Sequence, residues 1–297
     1  MTVSSTASSI ATARSMQSRR RWIGFFRRLA RGKGAIAGLI ILILMVGGAI
    51  FAPLIAPDDP ILINPKQALY SPGFPFLFGT DNLGRDVLSR VVFGARLSLI
   101  VGLISVGIAA SIGVTVGLVA GYYGGWVESL IMRIIDVMLA FPGILLALAI
   151  VSVLGPSLTN LMISVGVAAI PTYARLTRGS VLATKENLYI EAARVVGAPD
   201  HRILIRHILP NVVAPLIVAA TLGVGAAILS AAALSFLGLG SQPPTPEWGR
   251  MLSEGRRYLS SAWWISTFPG FAIMLTVLAI NMIGDGLRDT LDPRLRR

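Results

Sequence analysis

The sequence predicts an all-α integral membrane protein with six transmembrane helices, and three observations predict it. Only 13% of the 297 residues are charged, 54% are apolar and the mean hydropathy is +0.74. Soluble chains carry roughly 25% charged residues, so this one cannot coat a globule. Second, the uncharged residues fall into long runs at 34–57, 97–127, 137–174, 208–246 and 258–284. Third, Lys and Arg alternate in density between successive connecting segments, as membrane orientation demands.

A helix rises about 1.5 Å per residue, so about 20 apolar residues cross a ~30 Å hydrocarbon core. The first run supplies one span near 34–56. It exceeds the 7–15 residues of a signal-peptide core and is expected to stay as an anchor. The second supplies 96–120. The third, at 38 residues, is too long for one span. Gly155-Pro156-Ser157 divides it by a turn signal, giving spans at 132–154 and 158–176. The fourth run stops near Gly240, because Ser241-Gln242-Pro243-Pro244-Thr245-Pro246 cannot continue a helix, and leaves 211–239. The last span is 264–286.

With the N-terminus cytoplasmic, 19 of the 26 Lys and Arg lie inside, and the basic clusters at both ends agree with an even span number. The net charge of +12 is therefore a topology signal. Nucleic acid is excluded as a partner, since no folded basic face with aromatics is visible. The chain then divides into a basic, disordered cytoplasmic tail at 1–33, the first helix at 34–56 and an external segment at 57–95. A five-helix core follows at 96–290, with a cytoplasmic loop at 184–210, and a cytoplasmic tail at 291–297 closes the chain.

Three segments outside the hydrocarbon draw notice. In the first, Phe78-Gly79-Thr80-Asp81-Asn82-Leu83-Gly84-Arg85-Asp86 is dense in turn residues, and Asp81 and Asp86 suit helix N-caps. The following 87–93 reads as a short amphipathic helix. Two readings stand: a capped interfacial helix introducing span two, or a docking surface for an external partner. In the second, 240–263, a short helix is expected near 251–259, and Trp263 and Trp264 suit an aromatic belt. In the third, 184–211, residues 185–196 are helical in composition, Gly197 suits a helix C′ position and Pro199 the start of a helix running to about Leu209. This is a helix–turn–helix protruding from a bundle, or else a loop lying on headgroups.

Much chemistry is absent. There is no cysteine and there are two histidines, so thiolate sites and multi-histidine metal sites are excluded. No phosphate loop, G-x-S-x-G elbow or H-E-x-x-H pair occurs. Arg133 and Asp136 share a helix face and are expected to pair. No isolated midplane carboxylate is available to a proton- or sodium-driven carrier. Energy must come from outside the chain.

Glu191-Ala192-Ala193, three residues, Gly197, nine residues and then His207-Ile208-Leu209-Pro210 resemble the E-A-A-x3-G-x9-I-x-L-P loop of ABC importer membrane subunits. The match holds at Glu191, Ala192, Ala193, Gly197, Leu209 and Pro210, and departs where His207 replaces isoleucine. Phe78-Gly79-Thr80-Asp81 with Gly84-Arg85-Asp86, Ser235-Phe236-Leu237-Gly238-Leu239-Gly240 and Gly284-Asp285-Gly286-Leu287-Arg288-Asp289 with Leu291-Asp292-Pro293 resemble the dipeptide/oligopeptide branch.

That resemblance implies a type I ABC importer permease fold in a bacterial inner membrane, with both termini cytoplasmic. It implies a small-peptide solute (dipeptide, oligopeptide or glutathione-like), or in the same family a nickel chelate. The implied partners are a homologous second permease, two cytoplasmic ATPases, an external solute-binding protein and membrane lipid. The chain itself would bind no cofactor and catalyse nothing, ATP and Mg being used by the ATPases. The loop holding Glu191 and Gly197 would be the coupling helix seated in an ATPase groove, with Gly197 making the turn and Glu191 orienting the helix by hydrogen bonding. Asp81, Asp86 and Arg250 would flank the external docking mouth. An ATP-independent carrier and a membrane enzyme are the rivals from other classes.

Overall fold

The computed structural model describes residues 32–291, whose regular structure is helical, with no strand and one isolated bridge between Thr80 and Asp86. The expected tails at 1–33 and 291–297 lie almost wholly outside the described residues. Ten helices follow in order: α1 (Lys33–Ile50), α2 (Ala52–Ile55), α3 (Val87–Tyr123), α4 (Gly125–Leu139), α5 (Gly143–Leu154), α6 (Leu158–Lys185), α7 (Leu188–Val195), α8 (Asp200–Phe236), α9 (Trp248–Gly255) and α10 (Trp264–Leu291).

α1, α3, α8 and α10 are each long and apolar enough to cross a membrane, and α4 with α5 would make a fifth crossing if that bent pair is one span. α6 falls outside this set, because Thr159, Asn160 and Arg175 dilute its apolar residues.

Four expectations need correction. The region 87–93 is no separate interfacial helix. It is the first part of α3, 37 residues long, which at about 1.5 Å per residue makes a rod of about 55 Å. Span three, expected at 132–154, is broken: α4 and α5 meet at 90°. Pro142 lacks an N–H and disfavours helical geometry at Phe141, so the helix stops there and restarts. The loop helix does not end at Leu209; it runs on into α8 through a π-helical segment, Ile203–Ile208. Pro210 has no N–H to return to Arg206, and the wider π turn absorbs the missing bond, while the Asn211 side chain donates to the His207 carbonyl at 2.6 Å. Finally, Asp136 bonds Arg175 on α6 at 2.6 Å, not Arg133.

The centre of the bundle is the parallel pair α3 and α6, whose contacts advance together from Ser105 with Met162 to Gly121 with Val181. Gly113, Gly117 and Gly121 recur every four residues on α3, one stripe of one helix face. A Cβ at any of them would come within 2.5–2.8 Å of α6 atoms at Ile170, Tyr173, Ala174, Thr177 or Val181. The stripe therefore lets two backbones approach, and α3 is held as a stiff rod with a site at each end.

Candidate functional sites at the two ends of one helix

At the C-terminal end of α3 the loop 184–210 folds into a compact wedge. Ile190 and Ala193 of α7 are buried against Val181, Ile203, Ile208, Val212 and Leu216. The periodicity of α7 puts its other face outward, so Leu188 is 81% exposed, Val195 82% and Val196 81%, with Ile205 at 65%. α7 closes in a Schellman turn: Gly197 N–H donates to the Arg194 carbonyl at 2.9 Å and Ala198 N–H to the Ala193 carbonyl at 3.0 Å. Gly197 has φ +75°, the left-handed conformation such a turn demands. Ala192 and Pro210 are exposed, Ala193 is buried and Leu209 is half-buried in the wedge core. Glu191 is exposed and its carboxylate bonds no side chain among the described residues. It anchors nothing among the described residues.

The wedge is tied to the rod by a residue the sequence reading did not single out. Tyr122, 4% exposed, donates from Oη to Asp200 Oδ1 at 2.5 Å. The Arg194 guanidinium sits 5.5 Å from the centre of its ring, and Lys185 Nζ donates to its carbonyl at 2.7 Å. One residue, through its side chain and its carbonyl, thus joins the end of α3, the end of α6 and both arms of the loop. Residues 122 and 200 are 78 apart in the chain, and no local pattern connects them.

At the N-terminal end of α3 lies a buried ion cluster. Asp81, Arg85, Asp86 and Arg90 are each 1–3% exposed. Asp81 accepts from the Leu83 and Arg85 N–H groups at 2.8 and 3.0 Å and from Arg85 Nε at 2.6 Å, closing the Gly-rich turn. Asp86 caps α3, accepting from Ser89 N–H at 2.6 Å, and its other oxygen is buried without a partner. Arg85 and Arg90 both reach Glu254 of α9, at 3.1 and 2.9 Å. Asp81 and Asp86, expected to flank the docking mouth, are both buried in this chain, Asp81 paired with Arg85 and Asp86 capping α3. Asp81 caps no helix. Arg250 is half-buried and bonds Glu254 at 3.3 Å.

α9 is the short helix expected near 251–259, three residues earlier and followed by a 3-10 turn, Arg256–Tyr258. Its cap, Glu247, is 3% exposed and accepts from the N–H groups of Gly249 and Arg250 at 2.8 and 3.0 Å. Burial pushes this carboxyl above its ordinary value, and the Gly249 N–H pulls it partly back. Trp248 is fully buried and donates to the Val91 carbonyl at 2.9 Å. Trp264, expected in an aromatic belt, is 6% exposed and donates to the Thr80 carbonyl at 3.0 Å; of the two belt candidates Trp263, at 51%, faces outward.

Midway along the rod, α3, α5, α6 and α8 line an open pocket of about 460 Å³. Its walls are mostly Ala, Val and Gly, with Ser105, Thr172, Tyr173 and Ser230 as the polar groups.

Residues 113–297 match the model of the family described as binding-protein-dependent transport system inner membrane component, and residues 20–72 match that of the N-terminal TM domain of oligopeptide transport permease C. The chain is 53% identical to a dipeptide transport system permease protein of Alkalihalophilus pseudofirmus, over 93% of this chain and 90% of that one. It is 50% identical to a di/tripeptide transport system permease protein of Pseudomonas aeruginosa, over 92% of each chain. A glutathione transport system permease protein of Escherichia coli is also 50% identical, over 94% of this chain and 93% of that one. Among solved structures, a chain of the MetNI methionine ABC transporter in inward facing conformations superimposes with a TM-score of 0.55 at 21% identity, covering 68% of this chain and 96% of that one. That likeness concerns the fold.

Proposed function

The chain belongs to the family of binding-protein-dependent transport system inner membrane components, and from that premise we propose that it is the membrane-spanning permease subunit of an ATP-driven importer of small peptides. Relatives named for dipeptide, di/tripeptide and glutathione transport support the solute class. The subunit sits in the inner membrane as a multi-pass protein with six spans, α6 among them, and both termini cytoplasmic. It pairs with a homologous permease, two cytoplasmic ATPases and an external binding protein. ATP is hydrolysed on the ATPases and no bond is made or broken on this chain.

The observation that carries the reading is the wedge at 184–210. A protruding loop with a packed underside and an exposed rim of Leu188, Val195 and Val196 has the form of a docking element, because so much apolar surface is costly to leave in water. Glu191, exposed on the same helix, is free to bond a partner rather than its own chain. When ATP draws the two ATPases together, the seated wedge is displaced. Tyr122 and the π segment pass that displacement to α3, α6 and α8, which with α5 line the midway cavity. The cavity then serves as this subunit's half of the pathway, open alternately to either side.

The test is uptake of a labelled dipeptide into vesicles reconstituted with all the partner subunits. Uptake requiring both ATP and the binding protein is expected. Uptake driven by a proton or sodium gradient without ATP would instead identify a secondary carrier.

A further inference from the structure

At the end of α3 away from the wedge, a cleft of about 410 Å³ opens between the turn at 82–85, Pro243 and the residues from Arg250 to Tyr258. Four guanidinium groups line it, those of Arg85, Arg250, Arg256 and Arg257, against a single carboxylate, Glu254. That carboxylate is already shared among three arginines: Arg85, Arg90 and Arg250 all bond it, at 3.1, 2.9 and 3.3 Å. Asp81 is taken by Arg85 and lies 3.6 Å from Arg90 Nε. The internal counter-charge is thus exhausted. Arg256 and Arg257 are exposed, and neither pairs with a carboxylate among the described residues.

These cations stand on rigid ground. Trp248 is fully buried beneath them, and Gly249 lies so close to α8 that a Cβ there would approach Ala232 within 2.6 Å. The Arg256 guanidinium rests 5.5 Å from the centre of the Phe236 ring, which limits its sweep. Arg256 and Arg257, the forks without an internal carboxylate, suit carboxylates from outside, with Arg250 beside them sharing Glu254. The charge is spread over two chain segments and the cleft shares no residue with the midway cavity. A protein surface bridges such a pattern; one carboxylate of a passing peptide does not.

We infer that this cleft receives an acidic protrusion of the external binding protein, with Arg250, Arg256 and Arg257 as its contacts. The inference rests on the importer reading above, and it gives the partner's docking edge a negative sign. Such pairs act chiefly on encounter rate and selectivity and weaken with salt.

The experiment uses the complete transporter in lipid nanodiscs and, as probe, the binding protein that stimulates the wild-type complex. Arg256→Glu with Arg257→Glu should lower its affinity about tenfold or more at low salt, the deficit shrinking as salt rises. Replacing both by lysine should retain much of the binding, and Lys66→Glu, exposed but outside the cleft, should leave it unchanged. Recovery of the assembled complex checks folding of each variant. Equal affinity and equal salt dependence for the double glutamate variant and wild type would overturn the inference. So would unchanged docking accompanied by lost discrimination between free-acid and C-terminally amidated peptides, which would assign the cleft to the solute. If no binding protein engages the wild-type complex, the importer reading itself fails, and that outcome is distinct from either of these.

Discussion

Gly197 offers a test in which the perturbation is purely conformational. Its φ is +75°, and a Cβ placed on it would meet nothing within 4 Å. A substitution therefore brings no clash with neighbours, and its cost lies in holding an L-residue in left-handed backbone. That cost is about 1–2 kcal/mol for an ordinary residue, with valine at the upper end because its branched Cβ crowds the carbonyl. At about 1.4 kcal/mol per decade, Gly197→Val disfavours the native turn by up to about 30-fold against any relaxed form. Relaxation would break the two Schellman bonds and shift the rim of Val195 and Val196 relative to the arm beginning at Asp200. Asparagine tolerates this conformation best among the larger residues, so uptake should rank Gly, Asn, Ala, Val in descending order. The assay is uptake and ATP hydrolysis measured in parallel on reconstituted vesicles. Insertion should be normal throughout, while Gly197→Val uncouples hydrolysis from uptake or loses its ATPase during purification. Wild-type uptake by Gly197→Val with the ATPase bound would refute the reasoning; so would an asparagine variant as impaired as the valine one.

Three other outcomes follow from the same geometry. Tyr122→Phe removes the hydroxyl bond to Asp200, about 1 kcal/mol, while keeping the ring under Arg194; solute moved per ATP should fall with complex assembly intact, and an unchanged ratio would show the tether to be ornamental. At Glu247 the raised pKa means that the protonated form suits the fold. Its contribution is full below the ordinary carboxylate value and is lost as pH rises through the raised one. Glu247→Gln cannot ionise, so its melting temperature in detergent should gain on wild type from mildly acidic to neutral pH, whereas Glu247→Ala, which strips both cap bonds, should lose about 1–2 kcal/mol; parallel pH curves for Gln and wild type would contradict this. For topology, the cysteine-free chain permits single replacements: an impermeant thiol reagent on intact cells should label Lys66→Cys but not Glu186→Cys, both positions being exposed, and the opposite pattern would invert the proposed orientation.

Much of the bundle was legible because hydropathy and proline are local signals. The ends of the uncharged runs, the break at Gly155-Pro156-Ser157 and the Gly197 turn all follow from residues within a few positions of one another. The 90° break at Pro142 was missed because Phe141 and Pro142 lie inside an uncharged run, where hydropathy alone does not register a bend. The stripe Gly113, Gly117, Gly121 was available as a small-residue period of four, and it would have paired α3 with α6. Charge was the least legible feature. Asp81, Asp86 and Arg90 look like surface residues in sequence, and only the return of Glu254, 164 residues beyond Arg90, allows them to be buried together. Tyr122 and Asp200 are likewise brought together by packing alone. Each of these depends on a long-range contact, which no periodicity encodes.

The central claim is that the wedge at 184–210 is the surface this chain presents to an ATPase, and proximity tests it most directly. A cysteine placed at Val195 would be the only one in the chain. In the purified complex, a short thiol-to-amine crosslinker from Val195→Cys should capture an ATPase subunit in high yield, with the yield changing between ATP-bound and nucleotide-free states. The same reagent on Leu103→Cys, 62% exposed on the long rod within its apolar stretch, should capture none. Capture of the ATPase from Lys66→Cys, and none from Val195→Cys in any nucleotide state, would place the ATPase at the other end of α3 and contradict the claim.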